Sequence, residues 1–303
     1  MLGRCLLSSM LVVAMGFGWG MPGSMGGARP VTWTLWPPGC DRPGSGTCSC
    51  TWARFPITDF STRPCGRVPG GCSPGWLHQR LPKVRVQAWL GDLVGPGHLD
   101  LAEPATRIRV LRAATQVLTE GFDGIHYDLE PVPSGDRGYL ALLAATHTLT
   151  LSRHKIFSVA ADQIEPLPYL HIPEQWIFGT PHWWSSGYLH AVATRADEIA
   201  VMTYNSGVPF GPAYSGYVRL ETQLALAAVP PAVTLLIGLP AYHTSEPGHT
   251  SAETVAAAIR GVRLALGTHP QHRAIGVALY ADFSASPTDW NAYLANWALP
   301  RVP

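Results

Sequence analysis

An alternation of strand-like and helix-like segments runs through most of the chain, and it limits the possible folds more than any other feature. Short runs at "VTWTLW" (31–36), "TWARFPI" (51–57), "KVRVQAWL" (83–90), "GFDGIHYDLE" (121–130), "KIFSVAADQI" (155–164), "EIAVMTY" (198–204), "VTLLIGLPAY" (233–242) and "AIGVALYADF" (274–283) are mostly near-continuously apolar. That texture belongs to strands covered on both faces, as in a parallel sheet under helices. Helical patterns fill the gaps. In 104–120, Ile108, Leu111, Thr115 and Leu118 recur at spacings of three and four, with Gly121 as a stop. In 250–266, Thr250 and Glu253 read as a capping-box pair and Gly267 closes the helix. Ser286 and Pro287 read as the N-cap and first residue of a last helix that carries Trp290, Tyr293 and Trp297. About eight such units predict an α/β fold of the (β/α)8 TIM-barrel type, formed as a single domain over residues 29–303. An open doubly wound sheet would carry a Gly-rich phosphate turn after its first strand, and "LWPPGCDRPG" is not one.

Residues 1–28 open with Arg4, continue through an apolar stretch and end in the small-residue segment "MPGSMGGA". This is the pattern of a secretory signal peptide, with an uncleaved anchor as the alternative. It predicts a secreted, periplasmic or cell-envelope protein with no stable membrane insertion once the signal is cleaved. Cys40, Cys48, Cys50, Cys65 and Cys72 then cluster in a Cys-rich loop in the N-terminal part, around the second strand. Export favours disulfides there, a structural role, and the odd count leaves one thiol over. No pair has C-x-x-C spacing, and His182, His243 and His249 show no ligand spacing, so no metal is expected. A net charge of +1 with no basic run gives no case for a nucleic-acid partner.

The fourth strand carries the chemistry. Side chains alternate along a strand, so Gly124, His126, Asp128 and Glu130 share one face while Asp123, Ile125, Tyr127 and Leu129 share the other. The second set is largely apolar and suits packing under helices, which turns the first set into the barrel. Glu130 is the last strand residue before Pro131, at the C-terminal rim where barrel active sites lie. Two carboxylates held this close raise the proton affinity of one of them, which suits a general acid.

This stretch resembles the strand-four signature of glycoside hydrolase family 18, Asp-Gly-x-Asp-x-Asp-x-Glu, read here from Asp123 to Glu130 with His126 in place of the middle Asp. "VMTYN" (201–205) is similar to the family's Met-x-Tyr-Asp strand six, "LIGLPAY" (236–242) to its strand seven and "GVALYADF" (276–283) to its strand eight. The resemblance implies a retaining hydrolase of β-linked N-acetylglucosamine-containing glycan, chitin oligosaccharide or peptidoglycan, in which the substrate's own acetamide is the nucleophile. It implies Glu130 as general acid and then base, Asp128 as the group that orients the acetamide, Tyr204 as its hydrogen-bond donor, and Asn205 as a sugar contact. No cofactor is implied. His126 is expected to orient Asp128, and Asp123 to support the strand start. Tyr280 stands where the family commonly has a Trp under the sugar, leaving a smaller aromatic face. Trp89, Trp183, Trp184, Tyr214, Tyr217 and Tyr242 are further stacking candidates. Two rivals stay open: a non-catalytic sugar-binding barrel, and a hydrolase of another polysaccharide taking its second carboxylate from Asp162 or Asp282.

Overall fold

The computed structural model describes residues 32–33, 48–49, 74–80, 84–168, 183–243, 248–268, 274–280 and 284–298. The export segment 1–28, the cysteine pairing, the 51–57 strand and Asp282 lie outside the described residues. Two short strands, β1 (Thr32–Trp33) and β2 (Cys48–Ser49), form an antiparallel ladder. Helix α1 (Pro74–Arg80) precedes β3 (Gln87–Leu93), α2 (Pro104–Leu118), β4 (Gly124–Glu130), α3 (Arg137–Ser152) and β5 (Ile156–Ala161). Then come β6 (Gln163–Ile164), β7 (Trp183–Trp184), α4 (Ser186–Ala193), β8 (Glu198–Val201) and α5 (Gly211–Ala228). The chain ends in β9 (Thr234–Pro240), α6 (Val255–Thr268), β10 (Ile275–Tyr280) and α7 (Pro287–Tyr293), which continues as a π-helical turn over Leu294–Ala298.

Strands β3, β4, β5, β8, β9 and β10 lie side by side in that order, and every pair is parallel. Spatial order follows chain order without reversal, so the sheet has no switch point and is not doubly wound. Of the expected closed eight-strand cylinder, the described residues form a six-stranded sheet with β3 and β10 at its edges. The reason lies in the first two runs. "VTWTLW" contributes Thr32–Trp33 to the ladder with β2 instead of to this sheet, and 51–57 is not described. The sheet is nevertheless strongly curled. Flat, its edge strands would stand roughly 24 Å apart, five strand spacings. Yet the Trp89 ring on β3 meets the Tyr280 ring on β10 with centroids 6.2 Å apart.

Alternation within the strands divides the molecule. Ile125, Tyr127 and Leu129 are buried under the helices, with the Tyr127 hydroxyl against Thr146 Oγ1 of α3 at 2.9 Å. Each fully buried aliphatic or aromatic side chain of this layer contributes on the order of 2 kcal/mol. Gly124 explains the glycine in the strand-four signature. A Cβ there would sit 2.3 Å from the Ile156 carbonyl oxygen, so any side chain would push β4 off β5.

Two sequence expectations about helices are corrected. In α2 the buried stripe is Thr106, Val110, Ala113, Ala114, Val117 and Leu118, while Ile108 is half exposed. Small alanines let this helix sit close to the sheet, and they carry less hydrophobic signal than Ile108. Thr250 and Glu253 are not a capping box: the helix starts at Val255, Thr254 Oγ1 accepts from Ala257 N, and Thr250 donates to the Val208 carbonyl. The Ser286–Asp289 capping box of α7 is present, with Pro287 in the first turn.

Helix α5 also buries an acid. Glu221 is fully buried, its Oε2 accepts from Ile164 N at 2.9 Å, and burial pushes its carboxyl up to about 8. The native protein therefore keeps this proton up to about pH 8, while the unfolded chain releases it near the ordinary 4.5. Stability from this residue is complete below the unfolded value and is lost as pH rises through that window. Glu221→Gln cannot ionise and keeps an acceptor for Ile164 N. Urea unfolding at about pH 5 and about pH 8 is expected to show the variant gaining on wild type by about 1.4 kcal/mol per pH unit. A constant difference between the two proteins would refute the assignment.

Candidate active site

The C-terminal ends of the strands gather most of the expected residues in one place. The registers Leu93↔Glu130 and Tyr280↔Pro240 set these positions at the same rim, and Tyr204 follows β8 there. Tyr204 and Tyr280 stack with centroids 4.9 Å apart and planes 8° from parallel. The Tyr242 ring stands edge-on to both, 5.7 Å from Tyr204 and 5.6 Å from Tyr280. Trp89 closes the group from β3, and its buried indole N–H has no hydrogen-bond partner among the described residues, as suits a donor kept for a ligand. Gly238 makes room: a Cβ there would lie 3.0 Å from the Tyr204 ring.

Asp128 and Glu130 lie within electrostatic reach of this group. Burial raises the Tyr204 hydroxyl well above the ordinary tyrosine value, and the neighbouring Tyr280, Glu130, Asp128 and Tyr242 push it the same way. Tyr204 is therefore a neutral donor at working pH, beside two acids that favour keeping its proton on. Its neighbour Asn205 accepts a short hydrogen bond from the Tyr242 hydroxyl. Asn205 holds the left-handed backbone with φ of 57°, which Asn tolerates better than most residues.

Below the rim, His126 Nδ1 lies 2.7 Å from Ser158 Oγ, which places the row through His126, Asp128 and Glu130 on the inner face. Burial lowers the His126 imidazole to about 4, so at neutral pH it is uncharged. Compared with a carboxylate in that position, it puts one negative charge less beneath Asp128. Among the described residues no group of three His, Cys, Asp or Glu could hold a metal ion. Nor is any described helix long and apolar enough to cross a membrane.

Other expected residues lie elsewhere. Asp123 accepts from Val86 N and pairs with His78 Nε2, both at 2.7 Å. It ties α1 to the start of the sheet, roughly 23 Å along β4 from Glu130 at strand rise, and is structural, not a support of the rim. Trp184 is 2% exposed: its Nε1 donates to the Val132 carbonyl at 2.8 Å, and Tyr139 and Tyr188 pack on it. With no free face it anchors the segment after β4 and cannot be a sugar platform. Tyr214 is likewise fully buried, with its hydroxyl on the Thr203 carbonyl at 3.0 Å. Tyr217 donates to Gln163 Oε1 at 2.6 Å.

Sequence reasoning read Glu253 as a helix cap, whereas it sits 4% exposed and holds the loop after Tyr204. Its carboxylate accepts from Asn205 N at 2.9 Å, Ser206 N at 2.7 Å and the Ser206 hydroxyl at 2.6 Å. Sequence reasoning missed Gln87, Ser158 and Glu198, all buried on the inner face. For Gln87 and Glu198 a signal existed, since both are polar residues in otherwise apolar runs, the anomaly that marks His126.

No family model matches the chain, and no curated protein matches it. Solved structures do. A class V chitinase from Pseudomonas fluorescens Pf-5 matches with TM-score 0.50 at 14% identity, over 73% of this chain and 82% of that one. A chitinase from Chromobacterium violaceum matches with TM-score 0.53 at 15% identity, over 75% and 83%. The spore cortex-lytic enzyme SleL of Bacillus megaterium matches with TM-score 0.52 at 16% identity, over 73% of this chain and 61% of that one. At these identities the likeness shows a shared α/β fold.

Proposed function

We propose that the chain is an exported glycoside hydrolase, a divergent relative of family 18, that cleaves β-linked N-acetylglucosamine-containing glycan with retention of configuration. The reading rests on a neutral Tyr204 hydroxyl within electrostatic reach of Glu130 and Asp128, in a cluster of aromatic rings at the rim. Aromatic faces bind the apolar faces of sugars, and a proton donor beside an amide-binding hydroxyl suits a 2-acetamido sugar. The fold shared with two chitinases and a cortex-lytic enzyme supports the substrate class, chitin oligosaccharide or peptidoglycan.

In the mechanism, Glu130 gives its proton to the glycosidic oxygen as the bond to the anomeric carbon breaks. The acetamide carbonyl oxygen of the same sugar attacks that carbon and forms a cyclic oxazolinium ion. Asp128 holds the acetamide nitrogen and offsets the positive charge. Tyr204 donates to the carbonyl oxygen and keeps it in line. Glu130, now ionised, takes a proton from the incoming water, and opening of the ring returns the β-hemiacetal.

The test compares N-acetylated with deacetylated oligomers, with and without a thiazoline that mimics the cyclic ion. Cleavage confined to acetylated oligomers, with retention and inhibition by the thiazoline, is expected. Turnover indifferent to acetylation and to the thiazoline would point to a two-carboxylate hydrolase, and binding without turnover to a lectin.

A further inference from the structure

Four buried polar side chains form a continuous hydrogen-bonded line across the floor beneath the aromatic pocket. His126 Nδ1 lies 2.7 Å from Ser158 Oγ, Ser158 Oγ donates to Gln87 Oε1 at 2.8 Å, and Gln87 Nε2 donates to Glu198 Oε1 at 3.3 Å. The line crosses β4, β5, β3 and β8, and its members are between 0% and 8% exposed. Water cannot supply alternative partners, so the direction of each hydrogen bond is set by its neighbour.

That direction can be followed from one end. Above about pH 7 Glu198 is a carboxylate, which accepts only, so Gln87 must turn its amide nitrogen to Glu198 and its oxygen to Ser158. An amide oxygen accepts only, so the Ser158 proton is committed to Gln87. Ser158 Oγ then has only lone pairs for His126, and Nδ1 must bring the hydrogen. We infer that Glu198, Gln87 and Ser158 are positioning residues that hold His126 as the Nδ1–H tautomer, leaving Nε2 as an acceptor on the strand face it shares with Asp128 and Glu130. The uncharged state of the buried imidazole agrees with this, because a neutral ring carries one N–H only.

The role also accounts for Glu198 itself. A carboxyl 2% exposed in a strand is costly, and burial pushes it up to about 7. As the end of the line it gives the polar layer a sense. Its consequence for the site is that any hydrogen bond His126 Nε2 makes takes its proton from the partner. The inference concerns the state of one ring and is independent of whether a glycan is cleaved.

The test is a long-range proton–nitrogen NMR correlation on protein labelled with nitrogen-15 histidine, at about pH 8.5, where Glu198 is ionised. His126 is assigned by comparison with His126→Asn. Wild type is expected to show a single Nδ1–H tautomer. Ser158→Ala removes the acceptor and is expected to give a mixture, and Ser158→Thr to restore the single form. Gln87→Leu frees the serine proton to turn onto Nδ1 and is expected to shift the ring towards Nε2–H. An Nε2–H ring or an imidazolium in wild type would overturn the inference, and that spectrum decides even if a variant fails to fold. An unchanged single tautomer in Ser158→Ala would overturn it as well.

Discussion

Replacing Glu130 by Gln should lower turnover of acetylated oligomers by about 10² to 10⁴ while leaving their binding within a few-fold. Gln keeps the length and planar end of the side chain, so the packing at the rim is preserved. What it loses is the titratable proton: an amide cannot deliver one to the glycosidic oxygen, nor take one from water afterwards. Both halves of the reaction depend on the same atom, so both slow together. Binding draws on different groups, since the half-buried rings of Trp89 and Tyr280 supply area without a proton. Initial rates and a calorimetric binding titration separate the two quantities. Residual turnover within tenfold of wild type would remove Glu130 from the chemistry. A parallel fall in affinity would place it in binding instead.

The residues of this site were legible in the sequence to different depths. The inner row of β4 could be read because alternation is strictly local, and acids in an apolar strand stand out against its period. Pro131 marked the rim equally locally. Aromatic residues were harder, since period alone does not say which of Trp89 and Trp184 keeps a free face. Trp184 turned out to be committed to Val132, 52 positions away in sequence. Closure of the cylinder was read from a count of strand-like runs, and a count does not say which neighbour a strand will take. The Ser158–Gln87–Glu198 line joins residues 71 and 111 positions apart, which only the parallel registers bring together.

Glu253 gives the sharpest case of a local pattern overruled by a distant partner, and it carries the second large prediction. Three residues after Thr250 it satisfies the pattern of a capping box, yet its carboxylate is turned towards a loop 47 and 48 positions earlier. There it receives the amides of Asn205 and Ser206, the Ser206 hydroxyl and His249 Nδ1 at 3.1 Å. Gly248 packs so closely on this loop that a Cβ would stand 2.7 Å from the Asn205 carbonyl oxygen. The carboxylate thus offsets the cost of the left-handed Asn205 and fixes the residue next to Tyr204. Glu253→Ala leaves two amide N–H groups without their acceptor, and a loss of about 3 kcal/mol is expected. For a chain of this size that corresponds to a melting temperature lower by about 5 °C. Glu253→Gln should be nearly as damaging, because its NH2 would face one of the same N–H donors. Calorimetry on both variants tests this, and a Glu253→Gln protein that melts with wild type would show that the loop does not need the anion. Activity per folded molecule adds a separate reading. If Glu253 positions Asn205 and Tyr204, turnover at a temperature where the variant is fully folded should also fall. Full turnover there would confine Glu253 to stability.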